Sequence, residues 1–155
     1  MDISTAQFTK RFKSLADRFA ATSDIEALLQ NCSLSSVTAG NRIITYGGRC
    51  STLYLVWNGL LSASIEDGNA KLVLGDIRPG EWVGEVTLIE PGPATASVTC
   101  VEDSQLLALS HDAFNSLRTS RPSAAGALLQ VLCLNIAERL RVTNTTLLHA
   151  KAPQG

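Results

Sequence analysis

Gly84 and Glu85 stand side by side within residues 80–98, G-E-W-V-G-E-V-T-L-I-E-P-G-P-A-T-A-S-V, and that pairing is the best candidate for chemistry in the chain. Gly84-Glu85-Val86-Thr87-Leu88 reads as the start of one helical turn, where unpaired N–H groups point outward and can hold a small anion. A glycine there lets a ligand approach the main chain closely. The Glu85 carboxylate is an acceptor suited to sugar hydroxyls, and Thr95 and Ser97 offer hydroxyl donors to a phosphate. This is the chemistry of binding. A metal-centred enzyme built on strands needs clustered histidines and a carboxylate, and the two histidines, His111 and His149, fall outside the strand-rich region. No nucleophile–base pairing and no glycine-rich triphosphate loop is visible. Cys32, Cys50, Cys100 and Cys133 are widely spaced with no C-x-x-C pair, so reduced, buried thiols in a cytoplasmic protein are expected and zinc is not.

The elements that must position these residues follow from periodicity. From Ser33 to Ser110, short β-rich runs alternate with turn residues: Ser35–Thr38, Arg42–Tyr46, Leu53–Asn58, Leu60–Glu66, Ala70–Ile77, Ala96–Val101 and Gln105–Leu109. Closely spaced strands with glycine turns and no intervening helices indicate an antiparallel roll or barrel rather than an α/β fold. On the N-terminal side, Phe8, Phe12, Leu15 and Phe19 mark one face of a helix over residues 4–22. Its basic remainder (Lys10, Arg11, Lys13, Arg18) suits a partner or membrane surface, but packing of the aromatic stripe on the core is the preferred reading. A second helix is expected over Asp24–Asn31, capped by Ser23 or Asp24. On the C-terminal side, His111–Thr119 reads as a short helix broken at Ser120-Arg121-Pro122. Pro122 then opens a last helix to about Leu148. In it Leu129, Leu132, Ile136, Leu140, Thr143 and Leu147 approximate a coiled-coil seam, while Leu128, Val131 and Leu134 are placed to cover the roll. Such a helix spans roughly 40 Å, too long for one small roll, and a homodimer through it is expected. The tail His149–Gly155 is expected to fray.

Size and composition fit this organisation. The 155 residues are expected to form one domain, with helices over 4–32, a β-roll over 33–110 and helices over 111–148. Apolar content is 45%, charged content 17% and net charge −1, so no global basic field draws the chain to nucleic acid. No apolar run approaches the ~20 residues of a membrane span, and Met1-Asp2-Ile3-Ser4 has no signal character.

The stretch Val83-Gly84-Glu85-Val86-Thr87-Leu88, followed by Pro93-Ala94-Thr95-Ala96-Ser97-Val98, resembles the phosphate-binding cassette of the cyclic-nucleotide-binding domain family. Ala39-Gly40, Tyr46-Gly47, Leu53-Tyr54-Leu55-Val56-Trp57-Asn58-Gly59 and Pro79-Gly80 are similar to that family's glycine-punctuated β-roll. The resemblance implies a mainly β fold with flanking helices (α+β): an antiparallel, jelly-roll-like β-roll with N-terminal helices and a long C-terminal dimer helix. It implies that Gly84 lends its backbone near ribose and phosphate, with Val86 beside it. It also implies that Glu85 accepts from the ribose 2′-hydroxyl and that Thr95 meets the phosphate. Arg139-Leu140-Arg141-Val142-Thr143-Asn144 resembles the helix stretch that reads adenine in the catabolite activator branch. Thr143 and Asn144 therefore either meet a base edge or fix register as polar residues in a seam. The family's helix-turn-helix segment has no counterpart after that helix, so DNA binding by this chain is not expected.

Ala94 is the departure: it stands where the family places the arginine that pairs with the cyclic phosphate. Arg78 and Arg49 are the nearest substitutes in sequence, both on expected turns. Without a balancing cation, Glu85 repels an anion. The expectation is therefore a non-enzymatic regulatory module, without cofactor, whose binding of cyclic AMP or cyclic GMP is weakened or lost. Its alternatives are a working sensor of a cyclic nucleotide or other small anion through compensating contacts, and a ligand-free dimerisation or docking domain.

Overall fold

The computed structural model describes residues 2–151. Three helices come first: α1 (Thr5–Arg11), α2 (Lys13–Ala16) and α3 (Thr22–Asn31). The single helix expected over 4–22 is thus interrupted at Phe12, whose φ of −116° and ψ of 52° leave the helical region. The bend lets the chain dock. The Arg11 carbonyl lies so close to Gly80 that a Cβ there would sit 2.7 Å from it, and the Arg11 guanidinium covers the Trp57 ring at 5.2 Å. Phe8, Phe12 and Leu15 are buried as their spacing demands, and Ser4 caps α1 with a reciprocal bond to Gln7. Helix α3 starts earlier than expected, with Ala21 rather than Ser23 or Asp24 at its N-cap. Asp24 is instead drawn into the protein, where its Oδ1 accepts from Arg121 Nε at 2.8 Å and from the Ser123 hydroxyl at 2.9 Å.

The roll comprises ten strands: β1 (Ser33–Val37), β2 (Arg42–Ile44), β3 (Arg49–Cys50), β4 (Thr52–Asn58), β5 (Leu61–Asp67), β6 (Ala70–Ile77), β7 (Trp82–Val83), β8 (Gly92–Pro93), β9 (Ser97–Cys100) and β10 (Ser104–Ser110). Between β7 and β8 lies the one-turn helix α4 (Glu85–Ile89). One sheet has the order β1-β10-β4-β7, a second β2-β9-β5-β6, and β3 pairs with β8 alone. All pairings are antiparallel. The two-residue strands β3, β7 and β8 were not expected, because their partners are distant in sequence. Strands β4 and β10 are buried on both faces. Leu53, Leu55, Leu107 and Leu109 join the core under the helices, whereas Val56 and Leu106 point into the roll with Ile44, Leu61 and Val98. That alternation is the period-two geometry of a strand.

Helices α5 (His111–Ser120) and α6 (Pro122–Lys151) close the chain. Ser110 caps α5, and Pro122 begins α6 as its fixed φ favours. Helix α6 runs past the expected end near Leu148, so His149 to Lys151 are helical, while residues 152–155 of the expected frayed tail lie outside the described residues. Its first half packs on the protein through Ala124, Ala125, Leu128, Val131 and Leu132. One seam assignment and one roll-facing assignment change as a result. Leu132 is wholly buried in its own chain, and the helix turns the exposed Cys133 outward in its place. Leu134, expected to cover the roll, is 48% exposed. Cys133 also departs from the expectation of buried thiols. No described helix is long and apolar enough to cross a membrane.

Candidate functional site

A cavity of about 520 Å³ opens between the roll, α4 and α6, and the stretch singled out in the sequence forms one wall. Gly84 precedes α4 with φ +93°, a left-handed conformation that favours glycine, and any Cβ there would run into the Thr52 carbonyl oxygen. The glycine is thus required by its approach to β4 as well as by the open face it gives the cavity. From it α4 turns, with Leu88 N–H donating to Gly84 O at 3.0 Å and the Thr87 hydroxyl donating to the same oxygen at 3.2 Å. The far end of α4 is held by His111, whose Nδ1–H donates to the Leu88 carbonyl at 2.6 Å.

Glu85 is 2% exposed, and its Oε1 accepts a hydrogen bond from Arg139 Nη1 of α6. The carboxylate expected to lack a cation therefore has one. This is the principal correction to the sequence reading: Arg139 lies 54 residues away from Glu85, and only its position four residues before Thr143, on the same helical face, hinted that it belonged here. Arg78 and Arg49 do not line the cavity. Arg78 pairs with Asp76 at 3.5 Å, both well exposed, an arrangement that contributes little.

The second half of the stretch carries no charge. Ala94 is buried at 4% exposure, with its N–H donating to Gly48 O at 2.8 Å and its carbonyl accepting from Gly47 N–H at 2.9 Å. These bonds and the β3–β8 pair fasten the loop to the Gly47-Gly48 turn. Thr95 and Val86 are exposed and line the cavity. Ser97, expected beside Thr95 as a donor, is instead buried in β9 with its hydroxyl accepting from Tyr46 N–H at 2.8 Å, and does not reach the lining. On α6, Thr143 lines the cavity beside Arg139, but Asn144 turns away from it. Of the seven candidate ligand positions, Gly84, Glu85, Val86, Ala94, Thr95 and Thr143 are thus brought together and Asn144 is not. The sequence reading missed Leu74, Asp76, Glu138 and Val142 in the same lining.

A family model described as a cyclic nucleotide-binding domain matches residues 34–121. A CRP-like cAMP-activated global transcriptional regulator of Mycobacterium tuberculosis is 30% identical over 127 residues, which are 81% of this chain and 54% of the relative. A lysophospholipase of Aspergillus fumigatus is 35% identical over 106 residues, 68% of this chain but 7% of that protein. The chain therefore spans from under a tenth to about half of these relatives. Among solved structures, a cyclic nucleotide-binding domain from Methylobacillus flagellatus superposes with a TM-score of 0.83 over 97% of this chain and 88% of that one, at 15% identity, a likeness of fold.

Proposed function

The chain belongs to the cyclic nucleotide-binding domain family, and on that premise we propose that it is a non-enzymatic regulatory module whose hold on a cyclic phosphate is weakened or lost. One observation carries this reading: the position of the phosphate-pairing arginine is the buried Ala94, and the single guanidinium in the lining, that of Arg139, is bonded to Glu85. Removing one partner of a buried ion pair costs about 3–5 kcal/mol, which is about two to three and a half orders of magnitude in affinity. The amides at the start of α4 and the Thr95 hydroxyl recover only part of that. Millimolar cyclic AMP or cyclic GMP is expected to move the thermal midpoint little, and Ala94→Arg is expected to raise affinity by about two to three orders. A rise of several degrees with micromolar nucleotide on the unaltered protein overturns the proposal.

The output of the module is assigned to α6. Leu129, Cys133, Ile136, Leu140, Thr143 and Leu147 recur at intervals of four and three along it, and Leu140 and Leu147 are 59% and 54% exposed. Cys133, Leu140 and Leu147 stand open to water while Leu129 packs partly on the core, and an exposed apolar stripe of this spacing favours pairing with a second copy of the chain. Leu140→Asp is expected to give a monomer by light scattering where the unaltered protein is a dimer. An unaltered mass would remove the seam from the argument. No DNA contact is proposed for residues 2–151. Four free cysteines suit a reducing, cytoplasmic setting.

A further inference from the structure

The cavity has a composition that a vestigial phosphate site does not explain. Its lining includes three carboxylates, Asp76, Glu85 and Glu138, against the one guanidinium of Arg139. The arginines that pair with Asp76 and Glu138, Arg78 and Arg141, stand outside the lining. An anion entering here leaves water and meets three carboxylates against one guanidinium that is already paired with Glu85, a balance of charge that disfavours it. Apart from Thr87, Thr95 and Thr143 the remaining wall is apolar, with Ile44, Leu74, Ile77, Val86, Ala94 and Val142 among its residues. At about 520 Å³ the space is within the ~300–1,000 Å³ of small-molecule sites.

Within that apolar enclosure the polar equipment is specific. Glu85 uses Oε1 for Arg139, and its Oε2 has no hydrogen-bond partner among the described residues. Arg139 has a half-exposed side chain and uses one of its five N–H donors on Glu85. Side by side, then, stand one free anionic acceptor and several free donors. An adjacent pair of hydroxyls matches both, one donating to the carboxylate and the other accepting from the guanidinium.

Resting on the reading that phosphate recognition is impaired, we infer that this cavity takes an uncharged molecule with an apolar body and a vicinal diol, held by the Glu85–Arg139 pair. The ligand is a neutral diol rather than a second-messenger anion. Ala94 then has a purpose in the wall, as apolar surface against the ligand body.

The test is calorimetric titration of the intact chain with adenosine, 1,2-octanediol and cyclic AMP. At least one neutral diol is expected to bind about tenfold or more tightly than cyclic AMP. For the nucleoside, removal of one hydroxyl, as in 2′-deoxyadenosine, is expected to weaken binding about tenfold. Ala94→Arg, checked for an unchanged melting curve, is expected to reverse the preference towards cyclic AMP. The inference is overturned if neither neutral probe saturates the protein, while the proposed loss of phosphate recognition still stands. Tighter binding of cyclic AMP than of both neutral probes overturns it too, and micromolar affinity for that nucleotide removes the proposed function with it.

Discussion

Two buried carboxylates tie α6 to the rest of the molecule, and they differ in what surrounds them. At its start, Asp24 of α3 binds Arg121; about 27 Å further along, Glu85 of α4 binds Arg139. In each pair the carboxylate is hidden (4% and 2% side-chain exposure) and the arginine reaches in from a partly open position (39% and 54%). Asp24 has a second partner in the Ser123 hydroxyl and lies off the cavity lining. Glu85 has one recorded partner and forms part of the cavity wall. The same chemistry thus yields an anchor at one place and, at the other, a contact that an occupant of the cavity can share or displace. The helix is held through a doubly bonded carboxylate where it begins and through a single charged contact where it passes the cavity.

Breaking the anchor is the largest expected effect. Arg121→Ala leaves Asp24 buried with only a hydroxyl for company, and loss of a buried charge partner costs about 3 kcal/mol. Urea denaturation is expected to show that loss as a lower midpoint with an unchanged slope. A loss below about 0.5 kcal/mol would mean that Asp24 finds water readily and anchors nothing.

The pH dependence sharpens the same point. The Arg121 guanidinium, followed by the Ser123 hydroxyl, holds the Asp24 carboxyl below its ordinary range despite the opposing effect of burial. A group whose pKa is depressed on folding contributes stability that is complete above its unfolded pKa, about 3.9, and is lost as pH falls through its folded pKa. Asp24→Asn is therefore expected to be less stable than the unaltered protein at pH 7, by about 1–2 kcal/mol. The gap should close as pH falls below about 4. A gap that persists unchanged to low pH would assign the anchor to shape rather than charge.

How much of this was legible beforehand depends on the range of the interactions. Strand β6 begins and ends where the run Ala70–Ile77 does, and Pro122 opens α6, because alternation and proline chemistry are local signals. The Gly84-Glu85 corner was legible because a turn glycine and its neighbour are also local. The break at Phe12 was not, since the spacing of Phe8, Phe12 and Leu15 satisfies one helix as well as two. What bends the chain is the docking of Arg11 against Gly80 and Trp57. Nor was the exchange of Leu132 for Cys133 in the outward stripe legible, because adjacent residues differ by only about 100° around a helix and the tertiary core selects between them. Both arginine contacts join residues more than fifty positions apart, beyond any periodicity. A missing cation is visible in a motif, whereas its replacement from a distant helix is not.

The smallest expected effect bears most directly on whether anchor and cavity-side contact are independent. Arg139→Ala frees Glu85, which borders the open cavity and can be hydrated there, so a cost of about 1 kcal/mol is expected, less than for Arg121→Ala. Sites well separated and without shared partners add to within about 0.5 kcal/mol. The double variant is accordingly expected to lose the sum of the two single losses. Coupling above about 1 kcal/mol would show that releasing either contact shifts α6 as one stiff body and so disturbs the other. In that event, a ligand acting on Glu85 and Arg139 would be felt at Asp24 and the N-terminal helices. With additivity, its influence stays on the part of α6 beyond Arg139, where Leu140 and Leu147 are exposed.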